Sequence, residues 1–356
     1  MDTDGHRWTP MGDSSREGWA SVMRVLGPPP DAVVDPVTGT LRCGSFRGPL
    51  PPVDLRPLGR DLLSRAVRRK RWLWGTIVSD EALLGFAVVD LGWLASTFAF
   101  AWDRRERRML VDRSALGPGF RGLVNDRAED GCEARFGGGR TRARVARRLG
   151  TTAYEVDVEL GELRIEATLE SASAPPPLSA IVELPPDAVA TTQKRALLAA
   201  SGRASVGERT FALDGAVAGL DYSHGYPPRR TIWKWCFALG RARSGEPIGV
   251  NVVQGFVGEP ECVVWVGDDV HPVGEGHFEF DRGNLLAPWR IRTTDGAVEL
   301  KFAPGGMHRE EKNFGVIASH FVQAAGTFDG TIALPGRAAL ELDGVAGVAE
   351  DQDMLW

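Results

Sequence analysis

Asp221, Tyr222 and His224 place a carboxyl group, a phenol and an imidazole within one short stretch, Gly219-Leu-Asp-Tyr-Ser-His-Gly-Tyr-Pro-Pro. An Asp close to a His can orient the imidazole and raise its basicity, which makes a general acid–base pair. A neighbouring Tyr can donate a proton or hold a developing negative charge. Gly219 and the pair Pro227-Pro228 predict a turn-forming segment between them, in which Asp221 and His224 face one cavity with Tyr222 or Asn251 as a further polar contact. The same residues also fit a hydrogen-bonded turn, because Asp and Ser bond readily to nearby backbone and Gly225 supplies an unusual backbone angle.

A strand pattern comes directly after this stretch. Ile232, Lys234 and Cys236 alternate with Trp233, Trp235 and Phe237, which puts three aromatic rings on one sheet face. The chain holds 11 tryptophans, and Trp72, Trp74, Trp93, Trp233, Trp235 and Trp289 are the candidates to wall an apolar cavity at a domain junction or barrel mouth. Rings on strands also serve as ordinary core, and both readings fit these six.

The elements that must position these groups read as strands. From Trp72 onward, aromatic and β-branched runs (Trp72–Ser79, Ala82–Leu91, Trp93–Trp102) are separated by turn-like residues, which predicts an antiparallel meander. Leu160-Gly-Glu-Leu163 reads as a tight hairpin. Pro185-Pro186-Asp187-Ala188 is the candidate linker, since consecutive prolines stop a central strand. A second strand-rich block lies beyond it, and the Trp-x-Trp pairs at Trp72/Trp74 and Trp233/Trp235 suggest a tandem. The expected fold is therefore mainly β, with residues 1–39 an irregular segment carrying a short helix, 40–186 a first β domain and 187–356 a second. Helix is expected only before residue 70: one piece around Trp19, Val22, Met23 and Leu26, and another from about Leu58 to Arg69.

Composition narrows the function. The 356 residues exceed one small domain of roughly 100–200 residues. A formal charge of −5 argues against nucleic acid. The four cysteines are far apart and form no CxxC pair, so neither a zinc ribbon nor a disulfide scaffold is indicated. The N-terminus lacks the order of a secretory signal, and no run approaches the roughly 18 apolar residues of a transmembrane helix. The expectation is a soluble cytoplasmic protein that needs no metal or cofactor.

Other motifs have bland readings. Gly117-Pro-Gly-Phe-Arg-Gly122 matches GxGxxG, but the segment after Gly122 is short and polar, so the motif reads as a loop. GxSxG, GxxxxGK[ST] and HExxH are absent from the sequence. His271 with His277, and His308 with His320, lie in segments better read as turns or solvated strands than as metal sites. Arg68-Arg69-Lys70-Arg71 fits either a phosphate patch or the cations favoured at a helix C-terminus. The arginines at 104–108 and 140–148 fit either an anionic-ligand site or, more commonly, mixed charge in a β-turn or on a solvated strand face.

With those residues in view, the chain resembles the bacterial family known as domain of unknown function 2804. The matching segments are Arg69-Lys-Arg-Trp, Val88-Val-Asp-Leu-Gly, Thr192-Gln-Lys-Arg, Leu220-Asp-Tyr-Ser-His-Gly-Tyr, Trp233-Lys-Trp, Gly249-Val-Asn, Ala287-Pro-Trp and Phe302-Ala-Pro. More distantly, the order Gly, Asp, Gly, Trp-x-Trp is similar to the second domain of carotenoid 1,2-hydratase and AttH-like proteins. That resemblance implies two lipocalin-like antiparallel barrels in tandem, a plan shared with fungal decalin-forming cyclases. It also implies a cofactor-free hydratase, cyclase or isomerase acting on an isoprenoid- or polyketide-like molecule, or a non-catalytic carrier of an apolar ligand. Where those hydratases have a longer His/Asp/Trp-rich string, this chain has Gly219-Leu-Asp-Tyr-Ser-His-Gly.

Overall fold

The structure, a computed structural model, describes residues 25–313 and 318–356. The helix expected around Trp19, Val22 and Met23 lies outside these residues. Strand formation obeys the two-residue alternation of the sequence. In Ala153–Leu160, Tyr154, Val156, Val158 and Leu160 are buried while Glu155, Asp157 and Glu159 remain partly exposed. The Leu160↔Leu163 pair closes the expected hairpin with the next strand, Leu163–Glu170.

Two antiparallel sheets result, one of 14 strands and one of nine, forming a nearly closed barrel and a half-barrel in tandem. The first sheet's central path runs through Arg108–Pro118, Leu94–Asp103, Ala82–Asp90, Lys70–Val78, Ala216–Tyr226, Ala188–Val206 and Leu163–Glu170. The second runs through Pro247–Gly255, Arg230–Arg241, Leu340–Leu355, Ala318–Ile332 and Val298–Asn313. The sheets change over between Tyr226 and Arg230, at the turn carrying Pro227-Pro228. The 186/187 division expected from Pro185-Pro186 needs correction on this point. Those prolines sit in a turn between two paired strands, Leu178–Leu184 and Ala188–Val206, within the first sheet. A pair of prolines stops a strand, but it does not decide whether the chain returns to the same sheet.

Helix is scarce. Among the described residues the one α-helix spans Leu62–Arg68 and is capped by the Asp61 side chain, which accepts from the Ser64 N–H at 2.8 Å. Short 3-10 turns also occur beyond residue 70, at Gly119–Arg121 and Glu259–Glu261.

The middle of the first sheet is buried on both faces, because each face has its own partner. Leu73, Ile77, Phe86, Val88, Leu220 and Tyr222 point into the first core. Trp74, Val78, Leu83, Ala87, Phe98 and Trp102 point the other way and join the second core with Trp235, Phe237 and Val348. The two barrels thus lie wall to wall, and the space between the walls contains the site.

Candidate functional site

Register sets up two opposed rows of side chains. On the first sheet Lys194 pairs with Asp221, Asp221 with Trp74, Trp74 with Ala87 and Ala87 with Phe98. On the second, Val253 pairs with Trp235, Trp235 with Glu350 and Glu350 with Gln323. Directly opposed residues in neighbouring strands share a face, so each row is a continuous strip. The strips meet where Trp74 and Trp235 pack edge to face with centroids 4.8 Å apart, and where the Trp74 indole N–H donates to Gln323 Oε1 at 3.1 Å. One step along each sheet, Trp72 and Trp233 lie nearly parallel at 6.3 Å, and Trp356 lies 6.4 Å from Trp72. The two Trp-x-Trp strands therefore face each other.

Between the strips is a cavity of about 150 Å³ with mostly apolar walls, among them Trp72, Trp74, Phe98, Trp233, Trp235 and Phe256. Five ionisable groups lie along it: Lys194, Asp221, Glu261 and Glu350, all at most 6% exposed, and Glu310, partly buried near His308. The Lys194 ammonium bridges the sheets, 2.7 Å from Asp221 Oδ1 and 3.2 Å from Glu261 Oε2. Burial alone would depress its pKa, but the Asp221 and Glu261 charges outweigh that and hold it above the ordinary lysine value. Burial raises Glu261, with Asp221 adding to the rise and Lys194 opposing it.

Glu350 is the distinctive group. Its Oε1 accepts from the Trp233 indole N–H and its Oε2 from the Gln323 amide, each at 2.7 Å. Burial pushes its pKa up to about 8; the bonds from Gln323 and Trp233 restrain the rise, the Asp221 charge adds to it and the Lys194 charge opposes it. Four carboxyl groups line this space with one ammonium; Lys194 is ion-paired to Asp221 and Glu261, whereas Glu350 is held by the Trp233 and Gln323 hydrogen bonds without an ion pair. A carboxylic acid that is protonated at neutral pH and walled by indoles is a proton donor.

The other expected site residues divide between the cavity and the two cores. Asp221 lies on the cavity, but Tyr222 and His224 do not. The segment is a strand, Ala216–Tyr226, rather than a turn, and residues three apart on a strand point to opposite faces. The convergence expected for Asp221 and His224 is thus corrected. His224 and Tyr222 point into the first core, where the phenol donates to the Asn125 carbonyl at 2.9 Å and lies 3.4 Å from His224 Nδ1. Burial, with Arg71 and Arg69 nearby, holds His224 well below the ordinary imidazole pKa. Asn251 is fully buried behind the wall; it accepts from the Trp235 indole N–H at 2.7 Å and donates to the Glu261 carbonyl at 2.7 Å. It fixes the wall rather than touching the cavity. Trp289 lies inside the second core, stacked on Phe280 at 4.0 Å, and Trp93 is exposed on a turn beside the cavity. Both depart from the lining role expected of them.

Sequence reading missed Lys194, Glu261 and Glu350. A usable signal existed for the first, because Thr192-Gln-Lys-Arg sets charges inside an otherwise apolar strand. Glu350 continues the alternation of Ala346 and Val348, one more step along the same face. His308, at the far end of Glu350's row, stacks on Phe98 at 4.4 Å with its Nδ1 2.6 Å from Asp112. Among the described residues no group of three or more metal-ligating side chains assembles, and no helix is long and apolar enough to cross a membrane.

The family profile described as domain of unknown function (DUF2804) matches residues 30–356. No curated protein matches the chain. Among solved structures, an AttH-like protein of Nitrosomonas europaea is similar at a TM-score of 0.50 and 11% identity, covering 81% of this chain and 92% of its own. Kievitone hydratase of Nectria haematococca aligns at 0.49 and 10%, covering 82% and 90%. A protein named CghA aligns at 0.42 and 12%, covering 81% and 88%. The chain belongs to the DUF2804 family, and the first of these likenesses establishes the shared tandem β fold.

Proposed function

We propose that this DUF2804 protein is a cofactor-free acid–base catalyst acting on a small apolar molecule held between its two barrels, with Glu350 as the proton donor. The observation that carries the reading is a buried carboxyl group, kept protonated at neutral pH and aimed by Trp233 and Gln323, at the side of an indole-walled cavity. A cavity of about 150 Å³ encloses one ring-sized group. A larger isoprenoid- or polyketide-like substrate would insert its reacting end and leave the rest in the open mouth.

In the reaction, the Glu350 O–H bond breaks as its proton adds to one carbon of an electron-rich double bond. The positive charge left on the substrate sits beside the new Glu350 carboxylate and the faces of Trp72, Trp74, Trp233 and Trp235. A hydration ends with water forming the new C–O bond and its surplus proton returning to Glu350. A cyclisation ends with a second double bond of the substrate forming the C–C bond, again with a proton returned to Glu350. Asp221 and Glu261, held by Lys194, keep the surroundings negative and so favour charge development on the substrate. Tyr222 and His224 take no part.

The test is incubation with a panel of terpenoid alkenes and unsaturated polyketide-like phenols in ¹⁸O-labelled water. A hydratase incorporates the label and a cyclase yields an unlabelled isomer. Glu350→Gln should reduce turnover by on the order of 10²-fold or more while retaining Nile red binding in the cavity. A Glu350→Gln protein that turns over at the wild-type rate overturns the assignment. Tight binding of panel members with no conversion by the wild type favours the carrier reading instead.

A further inference from the structure

Beside the cavity the molecule exposes large apolar side chains in a cluster that the proposed reaction does not use. On the Leu62–Arg68 helix, Leu62, Leu63 and Val67 are 77%, 74% and 50% exposed. Trp93 is 51% exposed on the neighbouring turn and Phe120 is 84% exposed on the next. These pieces are tied into one surface. A Cβ at Gly92, the residue before Trp93, would sit 2.5 Å from the Ala66 carbonyl of the helix. The Lys70 ammonium donates to the carbonyls of both Val67, at 2.5 Å, and Leu91, at 3.4 Å. The Gly119 N–H donates to the Trp93 carbonyl at 2.9 Å, which brings the Phe120 turn alongside.

The surface is continuous with the cavity's rim. Leu91, Leu94 and Leu116 line the cavity, and they flank Trp93 and Phe120 along the chain. Leu94 pairs with Pro118, so the rim and the Phe120 turn share one edge of the first sheet. Lys70 also lies 6.0 Å over the ring of Trp356, another wall of the mouth.

The charge around this patch is basic although the whole chain carries −5. Arg68 is paired with Asp187, and Asp61 is engaged as the helix cap. Arg65 lies beside the exposed leucines and Arg69, half-buried, follows the helix; among the described residues neither side chain has a hydrogen bond or ion pair. Exposed Leu, Val, Trp and Phe bordered by arginines is the composition of a surface that lies on an anionic bilayer, with apolar groups below the headgroups and cations among the phosphates.

We propose that this face docks the protein on anionic membranes, with the cavity mouth beside the lipid so that an apolar molecule can pass from bilayer to cavity without crossing water. The docking itself rests on the surface alone, and only the transfer rests on the ligand class proposed above.

The experiment is vesicle flotation of the full chain with phosphatidylcholine alone and with phosphatidylcholine containing phosphatidylglycerol. Binding should appear with the anionic vesicles and weaken as salt is added. Arg65→Glu and Arg69→Glu should each weaken it by about fivefold or more, in line with the known worth of a basic residue near such a surface. Leu63→Ser combined with Trp93→Ser should abolish it. Because all these side chains are at least partly exposed, the variants should keep wild-type Nile red binding, which reads the cavity and not the face. Failure to float with either vesicle overturns the proposal, as does flotation that the variants leave unchanged. A dimer in sedimentation that Leu63→Ser with Trp93→Ser dissociates would show the face to be a protein interface, and would also overturn it.

Discussion

One strand carries two charged clusters on its two faces, and they are built on opposite principles. In Ala188–Val206, Gln193 and Arg195 point into the first core while Lys194, on the opposite face, points to the cavity. The inner cluster has two cations to one acid. Glu129 receives Arg195 at 3.0 Å, Arg147, and the Gln193 amide at 2.9 Å, while Arg195 also donates to the Pro175 carbonyl at 3.0 Å. The cavity is lined by four acids, Asp221, Glu261, Glu310 and Glu350, and one cation, Lys194. A guanidinium cannot shed its proton, so the inner cluster has a single charge state and serves as a fixed brace. Carboxyl groups can take up protons, and in the cavity cluster Glu350, with its pKa pushed up to about 8, is the group that holds one at neutral pH. The excess of acid over cation, beside open space, distinguishes the proposed reactive site from the cluster that holds the barrel together.

That contrast is most easily broken at Glu129. Glu129→Gln leaves Arg147 and Arg195 buried without an anion, and neither can escape by deprotonation. Removal of one partner from a buried charge cluster costs about 3–5 kcal/mol, so urea unfolding should show a loss of that order. A loss below about 1 kcal/mol would mean that the inner cluster is not a brace.

Lys194→Met should cost less, although Lys194 is buried as deeply. Asp221 and Glu261 lose their shared cation, but both can bind protons, which caps the penalty at about 2 kcal/mol near neutral pH. The loss should shrink further in acid, because the carboxyls are then neutral and need no partner. An undiminished loss at low pH would show that the lysine acts by packing rather than by charge.

The fold was legible in the sequence because it rests on short-range alternation. The Trp233/Trp235/Phe237 face and the Leu160–Leu163 hairpin both arise from period two and turn chemistry. The site was legible only in part, because it is made by register between strands distant in sequence. The glycines at 219 and 225 suggest turns, yet they permit close approach inside a strand. A Cβ at Gly219 would lie 2.4 Å from the Phe237 ring, and one at Gly225 would lie 2.1 Å from the Val189 carbonyl. With the segment extended, Asp221 and His224 separate to opposite faces. Glu350 becomes visible only when Leu340–Leu355 is known to pair with both Arg230–Arg241 and Ala318–Ile332, which brings Trp233 and Gln323 to its carboxyl oxygens.

The smallest structural change is the sharpest probe of the cavity cluster. Trp233→Phe keeps an aromatic ring in the wall but removes the N–H that donates to Glu350 Oε1. That bond favours the carboxylate, so its loss should move the Glu350 pKa upward from about 8. A hydrogen bond to a charged group is worth about 1.5–3 kcal/mol, which corresponds to roughly one to two pH units. Glu350 is raised in the folded protein, so between the ordinary glutamate value and about 8 the native state holds a proton that the unfolded chain has released. Its contribution is complete in acid, declines as pH rises through that window, and is gone above it. Trp233→Phe should extend the decline to higher pH, and Glu350→Gln should remove it. The carboxylic-acid C=O infrared band should titrate away near pH 8 in the wild type, persist to higher pH in Trp233→Phe and be absent from Glu350→Gln. A band already lost below pH 6 in the wild type would mean that Glu350 is an ordinary carboxylate, and the acid-rich cluster would then be only a second brace.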